Sequence, residues 1–295
     1  MKIAVIGSSG LLGGGFLHIS KKIQHDIIGT HFEKEAYQKT SSLDIRKKID
    51  IEKFLKVTKP DLVINASAIT NPEACEKDPK NTFKTNVEGT KNLANSCNEN
   101  GIHFVQISTE YVFNGKAGPY KEIDTPNPLS VYGKSKLESE KATLEVNPKF
   151  CVVRTAMLFG WSKNKMNLAT FLISNLRNNN KVKVITDQIV SPSYNNNIAE
   201  MVAELAAKKS SGIFHVAGSS IVSRFEFAKT LAKVFKLDGS LIEPTSISGM
   251  GWSAKRPLNG GLIVEKISKE IISKPLTLEK SLMQMAHDES FHEKI

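Results

Sequence analysis

The chain has 295 residues, long enough for one large domain or two small ones with a full hydrophobic core. Its formal net charge is +10, but the lysines are scattered, so we expect a solvated surface that attracts anionic small molecules and no nucleic-acid partner. The 3 cysteines lack C-x-x-C spacing, which argues against a disulfide framework or a thiol–metal site and favours a reducing cytoplasm. No apolar run approaches the roughly 20 residues of a membrane helix, so no membrane partner is expected. Neither a signal peptide nor a metal site is predicted.

The first predicted element is a buried strand that leads into a glycine-rich turn. Lys2 to Ile6 is a short apolar run, followed by Gly7, Gly10 and Gly13 and then by a helix-compatible stretch through Leu17. Gly7 permits a tight turn, Gly10 lets backbone approach a pyrophosphate, and Gly13 lets the helix pack closely on the strand. The free N–H groups at the helix N-terminus favour phosphate binding, although an ordinary βα turn would also fit this pattern.

The second strand is predicted from Asp26 to Thr30, and the residues at its end select the dinucleotide. A carboxylate at this place would hydrogen-bond the adenosine ribose of NAD. The strand ends instead in Thr30 and His31, with Glu33 and Lys34 beyond. We therefore predict NADPH as the cofactor, with NADH as the second option if the strand extends to Glu33.

The next two strands carry small and polar residues at their carboxyl ends. Asp61 to Asn65 is followed by Ala66 to Ala68, and His103 to Ser108 is followed by Thr109. In an open parallel sheet, ligands bind at these ends. Between the two strands, Asn86 is predicted to open a helix that runs to about residue 100.

Tyr132 and Lys136 lie four residues apart at the start of a helix predicted after Ser130, so both project from one face. A phenol normally loses its proton near pH 10, and a lysine ammonium beside it lowers that pKa. The pair is therefore a candidate proton donor and acceptor for a carbonyl/alcohol interconversion. By itself the spacing is also typical of any exposed helix.

Strands and helices alternate from residue 1 to about residue 155, which predicts an α/β fold with a Rossmann-type doubly wound parallel sheet. Beyond that point strands are predicted over Val182 to Ile185 and Gly212 to Val216. A helix is predicted over Ser223 to Leu237, with one core-facing stripe. The stripe consists of Phe225, Ala228, Leu231, Ala232 and Phe235. We predict a dinucleotide-binding domain over residues 1–160 and a smaller substrate-binding α/β cap over 161–295, partly interleaved with the first domain.

These motifs together resemble the extended short-chain dehydrogenase/reductase family over nearly the full chain. The resemblance rests on the glycine triplet, Asn86 and the residues after it, Ser108-Thr109, and the Tyr132-x-x-x-Lys136 pair. Within that family the chain looks most like the dTDP-4-dehydrorhamnose reductases. The similar segments are residues 107–113, 127–140, 186–193 and 255–257. The resemblance implies NADPH-dependent reduction of the 4-keto group of a deoxy-sugar nucleotide.

The resemblance also implies a catalytic triad. Tyr132 would protonate the C4 ketone oxygen, Lys136 would hydrogen-bond the nicotinamide ribose and keep Tyr132 acidic, and Thr109 would hold the carbonyl. Two fixed donors at an oxygen that gains negative charge agree with transition-state stabilisation. The implied dinucleotide contacts are Gly7, Ser9, Gly10, Leu11, Leu12, Gly13, Thr30, His31, Asp44, Ile45, Ala66, Ser67, Ala68, Asn86, Tyr132 and Lys136.

The implied substrate contacts are Glu110, Val112 and Arg256, of which Arg256 suits the diphosphate because a guanidinium binds phosphate bidentately. Two positions depart from the subfamily. Glu110 stands where an aspartate is usual, and Met157 stands where an aromatic residue is often found. Both departures leave the identity of the sugar open.

Two alternatives remain. The regulatory beta subunit of methionine adenosyltransferase looks similar over the same segments, which implies a non-catalytic dinucleotide-binding partner protein. A sugar-nucleotide dehydratase or epimerase is the other option, although Tyr111 after Glu110 interrupts the acidic pair typical of dehydratases. The oligomeric state is also open, with a homodimer as one option.

Overall fold

The computed structural model describes residues 1–33, 37 and 40–292, and a parallel β-sheet lies at its centre. The strands are β1 Lys2–Ile6, β2 Asp26–His31, β3 Ser41–Ser42, β4 Leu62–Asn65, β5 His103–Thr109, β6 Cys151–Thr155, β7 Leu158–Phe159, β8 Val182–Ile185, β9 Ile189–Val190, β10 Ser193–Tyr194, β11 Gly212–His215, β12 Val222–Ser223 and β13 Ile242–Thr245.

The helices follow the strands in alternation through the first half of the chain. They are α1 Leu11–Ile19, α2 Lys48–Thr58, α3 Pro72–Lys77, α4 Pro79–Phe83, α5 Gly89–Glu99, α6 Val131–Val146, α7 Leu168–Arg177, α8 Asn195–Ala207, α9 Arg224–Val234, α10 Glu265–Glu270 and α11 Leu278–His292. A π-helical segment, Lys84–Glu88, joins α4 to α5, and 3₁₀ turns span Glu110–Val112, Gly239–Leu241 and Ile247–Met250.

The central sheet has the strand order β11-β6-β5-β4-β1-β2-β3, and all of its pairings are parallel. The chain leaves β1 towards β2 on one side and later returns to β4 on the other side. This reversal is the topological switch point at which open α/β sheets bind ligands. Gly7 follows β1 and Ala66 follows β4, so the glycine turn and the small-residue loop flank that point. The predicted fold class is confirmed.

Helices cover both faces of the sheet, and the strands are therefore buried on both sides. On one face α1 and α8 pack together over a cluster that includes Val5, Phe16 and Val202. On the other face α2 and α5 pack over a cluster that includes Phe54 and Leu93. These two layers hold the carboxyl ends of the strands in fixed positions.

A separate core lies in the later part of the chain. It is formed mainly by α7, α9, α11 and β8, and it includes Phe227, Leu231 and Leu282. The predicted boundary at residue 160 stays a prediction. Strand β11 belongs to the central sheet although it lies beyond residue 160, and α8 packs on α1.

Two local expectations differ from the structure. Asn86 does not open a helix, because Asp78 and Pro79 start the helical run earlier and Asn86 lies inside its π-helical segment. In α9 the fully buried aromatic residue is Phe227, whereas Phe225 is only partly buried against the same core.

Candidate active site

The glycine turn after β1 has a backbone conformation and close contacts that only residues without a Cβ allow. Gly7 has a positive φ of 82°, and a Cβ on Gly13 would lie 2.3 Å from the Gly7 carbonyl oxygen. Gly10 is the N-cap of α1, and its N–H donates to the Gly7 oxygen at 3.1 Å. The turn therefore leaves a cradle without side chains at the N-terminus of a helix, as a bound pyrophosphate requires.

Thr30 stabilises this turn by hydrogen bonds from the neighbouring strand β2. Its hydroxyl accepts a hydrogen bond from the Gly7 N–H at 3.1 Å, and its carbonyl accepts one from the Ser8 hydroxyl at 2.9 Å. Thr30 is 1% exposed, so its side chain holds the turn rather than facing solvent. Ser9 is half-buried within the turn.

A cation that the sequence pattern did not indicate lies beside the end of β2. Strand β2 ends at His31, and Glu33 is exposed beyond it, whereas Lys34 lies outside the described residues. The Arg46 guanidinium lies over the Phe32 ring at 4.9 Å and is held by both carboxylate oxygens of Asp44. These hydrogen bonds from Arg46 keep the pKa of the Asp44 carboxyl below its usual value. The adenosine end of the predicted dinucleotide site is thus bordered by an arginine.

Asn86 connects the loop after β4 to α6, the helix that carries Tyr132 and Lys136. Its side chain accepts from the Ile69 N–H at 2.8 Å, donates to the Ile69 carbonyl at 3.0 Å, and donates to the Ser135 hydroxyl at 3.0 Å. Asn86 is 1% exposed, so it acts as a brace inside the protein. Ile45 is likewise buried, with its side chain against Gly89.

The three predicted catalytic residues come together in one cavity of about 380 Å³. Thr109 ends β5, and Tyr132 and Lys136 lie in the first turns of α6, whose N-cap Ser130 accepts from the Gly133 N–H at 3.2 Å. The same cavity is lined on the dinucleotide side by Gly10, Leu11, Leu12, Ala66 and Ala68. The glycine turn and the acid–base pair therefore open into a single space.

Burial dominates the electrostatics of the acid–base pair. It raises the pKa of the Tyr132 phenol, with a further rise from the negative charge of Glu110, while a hydrogen bond with the Thr109 hydroxyl lowers it. Burial also lowers the pKa of Lys136 to about 8, although Glu140 opposes this shift. The expectation that Lys136 lowers the pKa of Tyr132 is thus outweighed by desolvation of both groups. The phenol stays protonated at neutral pH, as a proton donor must.

Glu110 binds the Thr109 hydroxyl. Thr109 Oγ1 donates to Glu110 Oε2 at 2.7 Å, and the Met157 N–H reaches Glu110 Oε1 at 3.5 Å. Glu110 is 6% exposed, and this burial raises the pKa of its carboxyl. The proton of Thr109 therefore points at Glu110 in this arrangement, not at a substrate carbonyl.

Two predicted substrate contacts occupy other environments. Val112 is 0% exposed and packs with Phe113 in the core at the end of the 3₁₀ turn after β5, and its predicted substrate contact stays a prediction. Arg256 is 8% exposed and pairs with Glu73 at 3.0 Å, and its guanidinium stacks on the Trp252 ring at 3.7 Å. Its charge is balanced within the protein.

An ion pair that the sequence analysis missed lies beneath Lys136. Arg154 donates twice to Glu140, at 3.0 and 2.7 Å, and both side chains are almost fully buried. The Ser108 hydroxyl also donates to Glu140. Because Glu140 lies one helical turn after Lys136, this network fixes the negative charge that opposes the loss of the lysine's proton.

The fold and this site together define a member of the extended short-chain dehydrogenase/reductase class. The sequence profile of the RmlD substrate binding domain matches residues 1–291, and the chain belongs to this family. The predicted family resemblance is confirmed.

Relatives and solved structures agree over most of the chain. A probable low-salt glycan biosynthesis reductase of Haloferax volcanii is 32% identical, over 94% of this chain and 95% of its own length. A dTDP-4-dehydrorhamnose reductase of Aggregatibacter actinomycetemcomitans is 32% identical, over 82% of this chain and 86% of its own. The structure of a dTDP-4-dehydrorhamnose reductase from Bacillus anthracis in complex with NADP superposes with a TM-score of 0.88 at 26% identity, covering 97% of this chain and 99% of that one.

The beta subunit of methionine adenosyltransferase 2 is also similar. The protein from Xenopus tropicalis is 28% identical, over 90% of this chain and 81% of its own length. The predicted resemblance to this regulatory subunit is therefore confirmed together with the resemblance to the reductases.

Proposed function

We propose that this protein reduces the 4-keto group of a deoxy-sugar nucleotide with NADPH, as a reductase of the dTDP-4-dehydrorhamnose reductase type. The observation that carries the proposal is the single cavity in which the glycine turn meets Thr109, Tyr132 and Lys136. Relatives and superposed structures bearing that enzyme's name support it.

The cavity fits a dinucleotide at the glycine turn. The cradle of Gly7, Gly10 and Gly13 has no room for a Cβ at Gly13, and the N-terminus of α1 faces the cavity. Strand β2 ends in Thr30 and His31 without a carboxylate there, which supports NADPH with affinity at least equal to that for NADH, whereas the nearby Arg46 is already paired with Asp44. Titration calorimetry with both nucleotides measures this, and a strong preference for NADH would assign the ribose to Glu33.

A reduced nicotinamide bound in this cavity would supply a hydride to the carbonyl carbon. Tyr132 donates its phenolic proton to the carbonyl oxygen, where negative charge develops. Lys136 contributes a positive charge on the same helix face as the phenol, and it would hydrogen-bond the ribose of a bound nicotinamide. In the structure the Thr109 hydroxyl donates to Glu110 Oε2, and burial raises the pKa of that carboxyl; a protonated Glu110 would leave the Thr109 hydroxyl free to donate to the carbonyl oxygen of the substrate.

The test is oxidation of NADPH by the purified protein, followed by absorbance over hours with a panel of 4-keto-6-deoxy sugar nucleotides. We expect turnover with at least one member of the panel. Glu110 and Met157 shape the sugar end of the cavity, and a small misplacement there costs about 10²-fold, so slow turnover still supports the proposal.

The regulatory-subunit alternative rests on the similarity to methionine adenosyltransferase 2 subunit beta. No NADPH oxidation with any sugar nucleotide, together with stable co-purification of a methionine adenosyltransferase, would overturn the reductase proposal. A cytoplasmic location and a homodimer stay predictions. Within the described part of the chain, no helix is long and apolar enough to cross a membrane.

A further inference from the structure

Arg224 places a positive charge in the catalytic cavity that no ion pair in the described chain neutralises. It is the first residue of α9 and lines the same cavity as Tyr132 and Lys136. Among the described residues, no carboxylate lies within 4.0 Å of its guanidinium. Burial lowers its pKa, which means that its environment penalises the charge. A guanidinium held in such a place is stabilised by an anion that enters the cavity.

Gln188 fixes the direction of this side chain. The Arg224 Nε donates to Gln188 Oε1 at 2.6 Å, and the Arg224 backbone N–H donates to the Gln188 carbonyl at 3.1 Å. Gln188 is 1% exposed and donates in turn to the Pro257 carbonyl at 2.9 Å. Within the described chain, no hydrogen bond engages the two terminal amino groups of Arg224. These two groups form a preorganised pair of donors, the geometry that suits a phosphate.

Two other cations near the cavity are already engaged or differently placed, and Lys165, which also lines it, is exposed to solvent. Arg256 is paired with Glu73 and stacked on Trp252. Hydrogen bonds from Ser253 and Arg256 lower the pKa of Glu73 to about 2, so the partner of Arg256 is ionised at neutral pH. Lys136 lines the cavity beside Tyr132, one helical turn further along α6, and is assigned to the acid–base pair. The phosphate-binding role that the sequence assigned to Arg256 therefore suits Arg224 better.

A simpler explanation is that Arg224 only balances the charge of Glu110. The two groups do interact electrostatically. However, the oxygens of Glu110 are engaged by Thr109 and by the Met157 N–H, and the two charges do not form an ion pair. The interaction leaves the terminal amino groups of Arg224 free for a ligand.

We propose that Arg224, held by Gln188, binds the diphosphate of the sugar nucleotide and so sets the position of the sugar at Tyr132. The proposal deepens the proposed function and rests on it for the nature of the ligand. A diphosphate at Arg224 also places an ionic contact between the nucleoside and the sugar, which holds the sugar without any contact to its reacting carbon.

The test compares Arg224→Gln and Arg224→Lys with the matched variant Arg256→Gln. Affinities for dTDP, UDP and GDP, and for their nucleosides, are measured by calorimetry on protein saturated with NADP⁺. We expect Arg224→Gln to weaken binding of the preferred nucleoside diphosphate by about 10- to 100-fold, the range of a lost charged hydrogen bond. Arg224→Lys should lose less, and Arg256→Gln should lose less than about threefold. Affinity for the matching nucleoside and for NADP⁺ should not change, which excludes a folding defect.

Several outcomes would overturn the assignment. They are an unchanged diphosphate affinity in Arg224→Gln, a larger loss in Arg256→Gln, an equal loss for nucleoside and nucleoside diphosphate, or no diphosphate binding by the wild type. A role limited to Glu110 predicts an altered pH–rate profile with unchanged diphosphate affinity. If the wild type binds the diphosphate through Arg224 but reduces no sugar nucleotide, the assignment stands and the reductase proposal fails.

Discussion

Replacing Lys136 by methionine should stabilise the protein while abolishing its catalytic function. Lys136 is 3% exposed, and among the described residues no hydrogen bond or ion pair reaches its ammonium group. Its burial lowers its pKa to about 8, from an ordinary value of 10.5. Folding therefore carries the cost of burying a charge, and a methionine of similar length removes that cost while retaining the packing of the side-chain stem.

The size and pH dependence of the effect follow from linkage. At about 1.4 kcal/mol per pKa unit, this shift corresponds to about 3 kcal/mol. Between pH 8 and pH 10.5 the unfolded chain holds the lysine proton and the folded chain does not. The free energy of unfolding therefore rises with pH between pH 8 and pH 10.5 on account of this residue. Below pH 8 the lysine is charged in both states, and folding carries the full cost of burying the charge. Lys136→Met should be more stable than the wild type by up to about 3 kcal/mol at pH 7, and this difference should shrink towards pH 10.

Urea unfolding of both proteins at pH 7 and pH 9.5, without nucleotide, measures the difference. Comparison at each pH cancels the titration of other groups. Lys134→Met is the matched control, because Lys134 lies on the same helix and is exposed. The free energy of unfolding of this control variant should stay within about 0.5 kcal/mol of the wild type. A Lys136→Met protein that is less stable than the wild type at pH 7, or a difference that does not change with pH, would refute the reasoning.

Three further substitutions test other parts of the site. Tyr132→Phe should lower the reductase rate by roughly 10²–10⁴ with NADPH affinity retained, and near-wild-type turnover would exclude Tyr132 as the acid. Glu140→Gln leaves the Arg154 charge buried without its partner and should cost about 3–5 kcal/mol in urea unfolding, whereas a loss below about 1 kcal/mol would contradict the buried ion pair. Gly13→Ala should weaken NADPH binding at least about tenfold in calorimetry, because its Cβ would meet the Gly7 carbonyl at 2.3 Å. The control Gly239→Ala, whose nearest neighbour would be 3.8 Å away, should bind normally.

The parts of the fold that depend on local sequence were predictable. Gly7 and Gly13 indicate a tight turn, because a side chain at either position would clash with the backbone. The apolar runs before and after them predict β1 and α1. Thr109 could be placed at the ligand-binding edge because it ends a predicted strand of a parallel sheet, whereas its pairing with Tyr132 was implied by the family resemblance. These inferences need no knowledge of distant contacts.

The remainder depended on contacts between distant segments. Arg224 lies 36 residues from Gln188, and no periodic pattern marks either residue as part of the cavity. Val112 was predicted as a substrate contact from the family resemblance, and in the structure it lies in a 3₁₀ turn with its side chain fully buried. Arg256 looked available for phosphate until Glu73, 183 residues away, was found beside it. Ion-pair partners and side-chain directions of this kind appear only when the chain is folded.

The most direct test of the reductase account is to follow the hydride itself. NADPH carrying deuterium at C4 of the nicotinamide is incubated with the protein and a 4-keto-6-deoxy sugar nucleotide, and the sugar is analysed by mass spectrometry and NMR. The account predicts one deuterium at C4 of the sugar that the wild type forms, and labelling that is slower by roughly 10²–10⁴ with Tyr132→Phe. A product without deuterium at C4, or no product while the nucleotide and sugar nucleotide both bind, would contradict it.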